Sequence, residues 1–184
     1  MSEIRPVIDE RLAAPGPLPR RTLLLGWGNP GRLDDGLGPA LAEAVDDRTL
    51  PGLTVGTGYQ LQVEDAAELA SYDRVIFVDA DRSGAEPFWV RQIEPTDEGV
   101  GFSSHSVTPG ALLSIARDLF DARPEAWLVG VRGYDFDEFG EGLSPRARRN
   151  LEHATEFIRA TVETGDLGRL AHETPPPDRQ ETDA

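Results

Sequence analysis

The chain has 184 residues, no Cys, and a formal net charge of −15 from 33 acidic and 18 basic residues. A surface this acidic is repelled by nucleic acid and by anionic membranes. All the basic residues are Arg, which excludes lysine Schiff-base chemistry and a P-loop lysine, and the lack of Cys excludes thiol nucleophiles, thiolate metal sites and disulfides.

Residues 1–20 show no periodicity and several Pro and Gly, and read as a flexible arm; charges and prolines stand where a signal peptide would have an apolar core. No apolar run approaches the ~20 residues of a membrane span. The expected location is the cytoplasm, and the expected state a monomer. A first strand is predicted at 21–26, followed by the turn Gly26-Trp27-Gly28-Asn29-Pro30-Gly31 and the acidic pair Asp34-Asp35. Leu37, Leu41, Ala44 and Val45 then fall on one helix face, with Asp34 or Asp35 as a candidate N-cap. A short second strand is predicted at 53–56 and a short helix at 63–71.

Val75-Ile76-Phe77-Val78, ending at Asp79, is a buried strand, and Phe88–Ile93 alternates as a fourth. The stretch between them is shorter than the roughly dozen residues a parallel crossover takes, so strand 88–93 should run antiparallel. A loop spans 95–106, a helix carries Leu112 to Phe120, and a fifth strand covers 127–131. An acidic, aromatic loop follows at 133–142, and Ser144-Pro145 opens a last helix with Leu151, Ala154, Ile158 and Val162 inside. Residues 164–184 are polar and proline-rich and read as a disordered tail. The whole is predicted to be a single α/β domain over 21–163. It is a three-layer sandwich with a mostly parallel five-stranded sheet, one antiparallel strand at about 88–93, and helices on both faces.

In such sheets ligands bind at the carboxyl ends of the strands, and Asp35 and Asp79 are both placed there. His105 precedes the helix that returns to the fifth strand, so it belongs at the same edge. The loop before it must climb back from the opposite edge. Twelve extended residues reach about 40 Å, against about 20 Å for a six-residue strand. Two carboxylates and an imidazole suit a borderline divalent metal. The plainer alternative is helix capping by the acids and a polar loop histidine, which for any one residue alone is the better account.

Two other chemistries compete. Gly26-x-Gly28-x-x-Gly31 matches a dinucleotide fingerprint, but Thr57-Gly58-Tyr59-Gln60 carries no acid to hold a ribose, and Asp34-Asp35 would repel a pyrophosphate. A Ser-His-Asp triad would have to draw on Ser104 or Ser106, sequence neighbours of His105, and no G-x-S-x-G elbow exists. Tyr134, Phe136 and Phe139, interleaved with acids in 133–142, suggest a patch that touches a partner.

Taken together, GWGNPGRLDDGLGP, VIFVDA and SSHSVTPGALL resemble, in order and spacing, three motifs of the nickel–iron hydrogenase maturation proteases. GYDFDEFGEGLSP is similar to a segment of the subgroup serving soluble hydrogenases. The resemblance implies an endopeptidase that removes the C-terminal extension of a hydrogenase large-subunit precursor after nickel insertion. It implies a metal-binding trio at Asp35, Asp79 and His105, the same three residues reached above. The metal would be the nickel of the precursor, or another divalent transition metal in its place. The chain departs from the family at Thr57–Gln60, where the family often has Asp-Gly-Gly-Thr, a segment bearing on substrate choice. Asn29, Gln60, Tyr134, Phe136 and Phe139 are the candidate substrate contacts; the catalytic base is unassigned, with Asp34 as a candidate. A non-catalytic chaperone of the nickel-loaded large subunit would use the same site.

Overall fold

The computed structural model describes residues 20–45, 50–96 and 107–165. The N-terminal arm, the C-terminal tail and His105 therefore lie outside the described residues, apart from the one or two at each tail boundary.

Among the described residues, five strands and four α-helices follow one another, alternating except where the fourth strand directly follows the third. They are β1 (Thr22–Trp27), α1 (Leu37–Val45), β2 (Leu53–Gly58), α2 (Asp65–Leu69), β3 (Arg74–Asp81), β4 (Phe88–Ile93), α3 (Pro109–Phe120), β5 (Glu125–Arg132) and α4 (Pro145–Thr164). The sheet order is β2-β1-β3-β5-β4. β1, β2, β3 and β5 are mutually parallel, and β4 lies antiparallel to β5 as its short connection demands.

The apolar runs read as central strands are central. Leu23 and Leu24 of β1 and Val75 to Val78 of β3 have no exposure to solvent, as a sheet covered on both faces requires. Alternation divides them between two cores. Leu24, Ile76 and Val78 pack with α1 and α4, while Leu23, Leu25, Val75 and Phe77 pack with α2 and α3. The helix starts obey local chemistry. Thr108 caps α3 by accepting from the Ala111 N–H, Ser144 caps α4 by accepting from the Ala147 N–H, and a Pro follows each cap. α4 ends at Gly165 with φ 72°, the left-handed conformation that glycine adopts without a Cβ clash.

The start of α1 differs from the expectation. Neither Asp34 nor Asp35 caps it; a 3₁₀ turn, Leu33–Gly36, is inserted ahead of Leu37 with Leu33 at φ 52°. The turn exists because both acids have other partners.

Candidate functional site

The parallel strands end at one edge, and the register brings two of the predicted acids to it. β1 stops at Trp27, one residue beyond the pairing of Gly26 with Val78, so the loop after β1 and the residues after Val78 emerge side by side. Gly28 turns the chain at φ 141°, where a Cβ would lie 2.0 Å from the Asp35 carbonyl oxygen. That close approach folds the loop back on itself. The Asn29 N–H then donates to Asp35 Oδ2 at 3.0 Å, and Asn29 Oδ1 accepts from the Gly31 N–H at 2.9 Å. Asp79 is half-buried on β3, and its Oδ1 accepts from the Ala80 N–H at 2.8 Å. Among the described residues, neither Asp35 Oδ1 nor Asp79 Oδ2 takes part in a hydrogen bond. Each carboxylate is aimed by one backbone amide and has one oxygen left over.

Burial raises the Asp79 pKa to about 7; the Ala80 amide opposes this, and the negative charges of Asp35 and Asp81 add to it. Asp35 is thus near enough to be felt by Asp79, which is the behaviour of carboxylates sharing a site. The consequence for stability has a definite sign. A folded pKa above the ordinary value means stability that is complete near pH 4 and lost as pH rises through about 7. In metal-free protein, Asp79→Asn mimics the protonated group and keeps an acceptor for Ala80. Its melting temperature should match wild type near pH 4 and exceed it increasingly up to about pH 7, a trend that thermal unfolding across pH will check.

Asp79 lines a cleft of about 720 Å³, together with Asp81, Trp89, Arg91, Thr108 and Gly110. His105 lies outside the described residues, but Thr108, three positions later, is part of the same cleft wall. Of the other histidines, His153 is exposed on α4 and His172 lies outside the described residues. Among the described residues no group of three His, Cys, Asp or Glu could hold a metal ion. Asp35 and Asp79 are the two members of the expected trio that lie within the described residues.

Asp34 faces the other way. It is fully buried, and its carboxylate is filled by four donors. Oδ2 accepts from the Tyr134 N–H at 2.8 Å, the Asp135 N–H at 3.0 Å and the Ser144 hydroxyl at 2.8 Å; Oδ1 accepts from the Ser144 N–H at 2.7 Å. Burial pushes its pKa up, but the amides of Ser144, Asp135 and Tyr134 and the Ser144 hydroxyl outweigh that and hold it below the usual carboxylate value. A carboxylate so occupied is an anchor, with no lone pair presented to a reacting group.

That anchor explains the aromatic loop. Residues 133–144 are laced to 31–34: the Leu33 N–H donates to the Gly140 carbonyl at 3.1 Å and the Gly140 N–H to the Gly31 carbonyl at 2.9 Å. Phe136 is 5% exposed and lies under the Arg82 guanidinium at 4.4 Å. Tyr134 is half-buried beneath Arg146, and its hydroxyl accepts from Asn150 Nδ2 at 2.9 Å. Only Phe139, 86% exposed beside Arg32, matches the expected surface patch. Phe136, expected as a surface aromatic, is instead buried, with Arg82 stacked on its ring. Asn29 lies against Asp35, and Gln60 is exposed just past β2 at the same sheet edge.

The glycines of the nucleotide-like fingerprint serve packing. A Cβ on Gly26 would fall 2.1 Å from the Gly38 carbonyl oxygen, and Leu37 and Gly38 at the start of α1 are buried. A pyrophosphate has no place between them.

Sequence reasoning passed over Asp81 and Trp89. Asp81 Oδ1 accepts from the Ser83 N–H at 2.8 Å and the Gly84 N–H at 2.9 Å, while Oδ2 accepts from Trp89 Nε1 at 2.5 Å. Burial raises the Asp81 pKa, and these bonds more than reverse it. The pattern Asp-Arg-Ser-Gly after a strand was the available signal, since Asp bonding its own backbone two residues on is a turn former.

Solved structures place this fold. A nickel–iron hydrogenase maturation protease HycI from Thermococcus kodakarensis KOD1 superposes with a TM-score of 0.61 at 23% identity, covering 78% of this chain and 93% of that one. The hydrogenase maturating endopeptidase HybD from Escherichia coli gives 0.60 at 24% identity, over 79% and 93%. An endopeptidase from Escherichia coli gives 0.61 at 25% identity, over 79% and 93%. No family model and no curated protein sequence matches the chain. The α/β fold of this chain, a mostly parallel five-stranded sheet with one antiparallel strand, is the fold of these structures.

Proposed function

We propose that the protein is an endopeptidase that removes the C-terminal extension of a nickel–iron hydrogenase large-subunit precursor after nickel has been inserted, and that it recognises the nickel already bound there. The observation that carries this reading is the pair Asp35 and Asp79. The two are brought to one strand edge, close enough for the charge of Asp35 to be felt by Asp79, which lines a cleft; each is oriented by a backbone amide and each has one oxygen to spare. The fold likeness to hydrogenase maturation endopeptidases supports the same reading.

The nickel is part of the substrate. Two carboxylate oxygens, with the imidazole of His105 as third donor, fit a borderline divalent ion that keeps its other ligands on the precursor. The charge of the metal would offset the burial that chiefly raises the Asp79 pKa, and with it the smaller repulsion from Asp35 and Asp81. Within the chain, the Asn29 amide holds the Asp35 carboxylate in place, the Ala80 amide holds that of Asp79, and the Asp34 clasp fixes the turn from which Asp35 projects. Trp89 and the neighbouring cleft wall offer surface to the polypeptide on either side of the bond to be cut. No His-Glu-x-x-His sequence supplies a built-in base, so positioning of the loaded precursor is the task these residues suit.

Replacing Asp35 by Asn, or His105 by Ala, should stop processing of nickel-loaded precursor, read as intact mass, while thermal stability stays near wild type. Asn at 35 keeps an oxygen for the Asn29 amide, so a loss of activity with the fold intact reports the missing charge. Full cleavage by both variants would remove these residues from the site.

A further inference from the structure

The cleft that Asp79 lines is also lined by Trp89, Arg91, Gln92 and Ile93 of β4. Register sets Asp79, Gly130 and Trp89 in one row across β3, β5 and β4, so about 10 Å separates the first and last backbones. Gly130 has no side chain, and a Cβ there would lie 2.3 Å from the Trp89 ring. The indole thus lies flat over β5, locked by its bond to Asp81, with the Arg91 guanidinium 5.3 Å from its centroid. Trp89 is largely buried, and what remains accessible of it lines the cleft that Asp79 also lines.

β4 is also the last strand of the sheet. The Arg132 N–H donates to the Pro87 carbonyl at 3.2 Å, which sets the phase of the ladder. The backbone groups of Pro87, Trp89, Arg91 and Ile93 face β5, so those of Phe88, Val90 and Gln92 face away. Among the described residues no hydrogen bond uses the outward groups of Val90 or Gln92. Four consecutive residues, Arg91 to Glu94, line the cleft. Side chains of a strand alternate between faces, so the shared lining by Arg91, Gln92 and Ile93 is what a cleft running along the outer edge of β4 gives.

We propose that this edge takes the C-terminal segment of the precursor as an added β-strand, paired with Val90 and Gln92, and delivers it over Trp89 to Asp79. The proposal rests on the processing role above and names the form in which the substrate chain is held. An edge that alternates N–H and C=O along its length is complementary to extended polypeptide, whereas small ligands are held by converging groups in a closed pocket. A second copy of this chain could use the same edge, but a net charge of −15 on each opposes that pairing.

Gln92→Pro tests the pairing, because a proline whose missing N–H faces outward is tolerated on an edge strand. With nickel-loaded precursor, KM should rise by about ten-fold or more while kcat changes by less than about two-fold. An unaltered KM would overturn the proposal. A second measurement stands even if that variant folds poorly. The chain has no Cys, so Gln92→Cys carries a single thiol for a photoreactive label. On illumination with precursor the crosslink should map to the precursor's C-terminal segment; a crosslink elsewhere, or between two copies of this chain, would overturn the proposal. If wild-type protein leaves the precursor whole, the processing role itself fails and this inference with it. If wild type cuts and Gln92→Pro cuts at the same KM, only the strand pairing fails.

Discussion

Asp34→Ala should lower the thermal unfolding midpoint by about 8–16 °C, the largest stability loss expected of any single side chain near the site. Removing the carboxylate leaves the amides of Tyr134, Asp135 and Ser144 and the Ser144 hydroxyl without their acceptor. Orphaning buried donors of a charged acceptor costs about 4 kcal/mol, a large share of a total stability of about 5–15 kcal/mol. Asp34→Asn keeps one oxygen, which can serve the three donors on Oδ2, but it turns an amide N–H₂ toward the Ser144 N–H; its loss should be about half as large. The pH dependence gives a second readout. The folded pKa is depressed, so the contribution is complete above the ordinary carboxylate value and is lost as pH falls through the folded value. Wild type should therefore lose this part of its stability only below about pH 4, and the Asn variant should lack that portion of the acid transition. Thermal unfolding from pH 3 to 7 measures both effects.

The second large effect is predicted for Gly38→Ala. A Cβ there would lie 2.2 Å from the Trp27 carbonyl oxygen and 2.8 Å from that of Val78. These are backbone atoms of the two central strands and cannot rotate away, so α1 must lift off the sheet. Overpacking of this kind costs about 3 kcal/mol, more than the helix propensity of Ala returns, and should lower the midpoint by about 6–12 °C. Because Asp35 precedes α1 by two residues, precursor processing should fall as well. Gly58→Ala is the control: its Cβ would meet nothing closer than the Gln60 carbonyl oxygen at 3.5 Å, so its midpoint should move by no more than about 2 °C.

What could be read from the sequence was whatever depends on near neighbours. The run Val75–Val78 is a buried strand because nothing polar interrupts it. Ser144-Pro145 starts α4 because cap and first turn lie within four residues. The antiparallel sense of β4 follows from the length of one connection. These same local rules placed Asp35 and Asp79 at one edge, the part of the candidate site that the structure brings together. What escaped depends on partners far along the chain. Asp34 looks like a helix cap beside α1, yet its donors are 100 to 110 residues away. Tyr134 and Phe136 look like surface aromatics among acids, but Arg146 and Arg82 stack on them from other elements. Gly130 reads as an ordinary strand glycine until the Trp89 ring is found in the space a side chain would fill. The order of the strands, likewise, is written only in which cores the two faces of β1 and β3 share.

If the proposed role is right, nickel already loaded in the precursor licenses cleavage by this chain. The most direct test is the intact mass of a hydrogenase large-subunit precursor after incubation with the purified protein, in parallel nickel-loaded and nickel-free samples. The loaded precursor alone should lose its C-terminal extension. Equal cleavage of both samples would contradict recognition of nickel, and a stable complex with the loaded precursor at unchanged mass would contradict the peptidase itself.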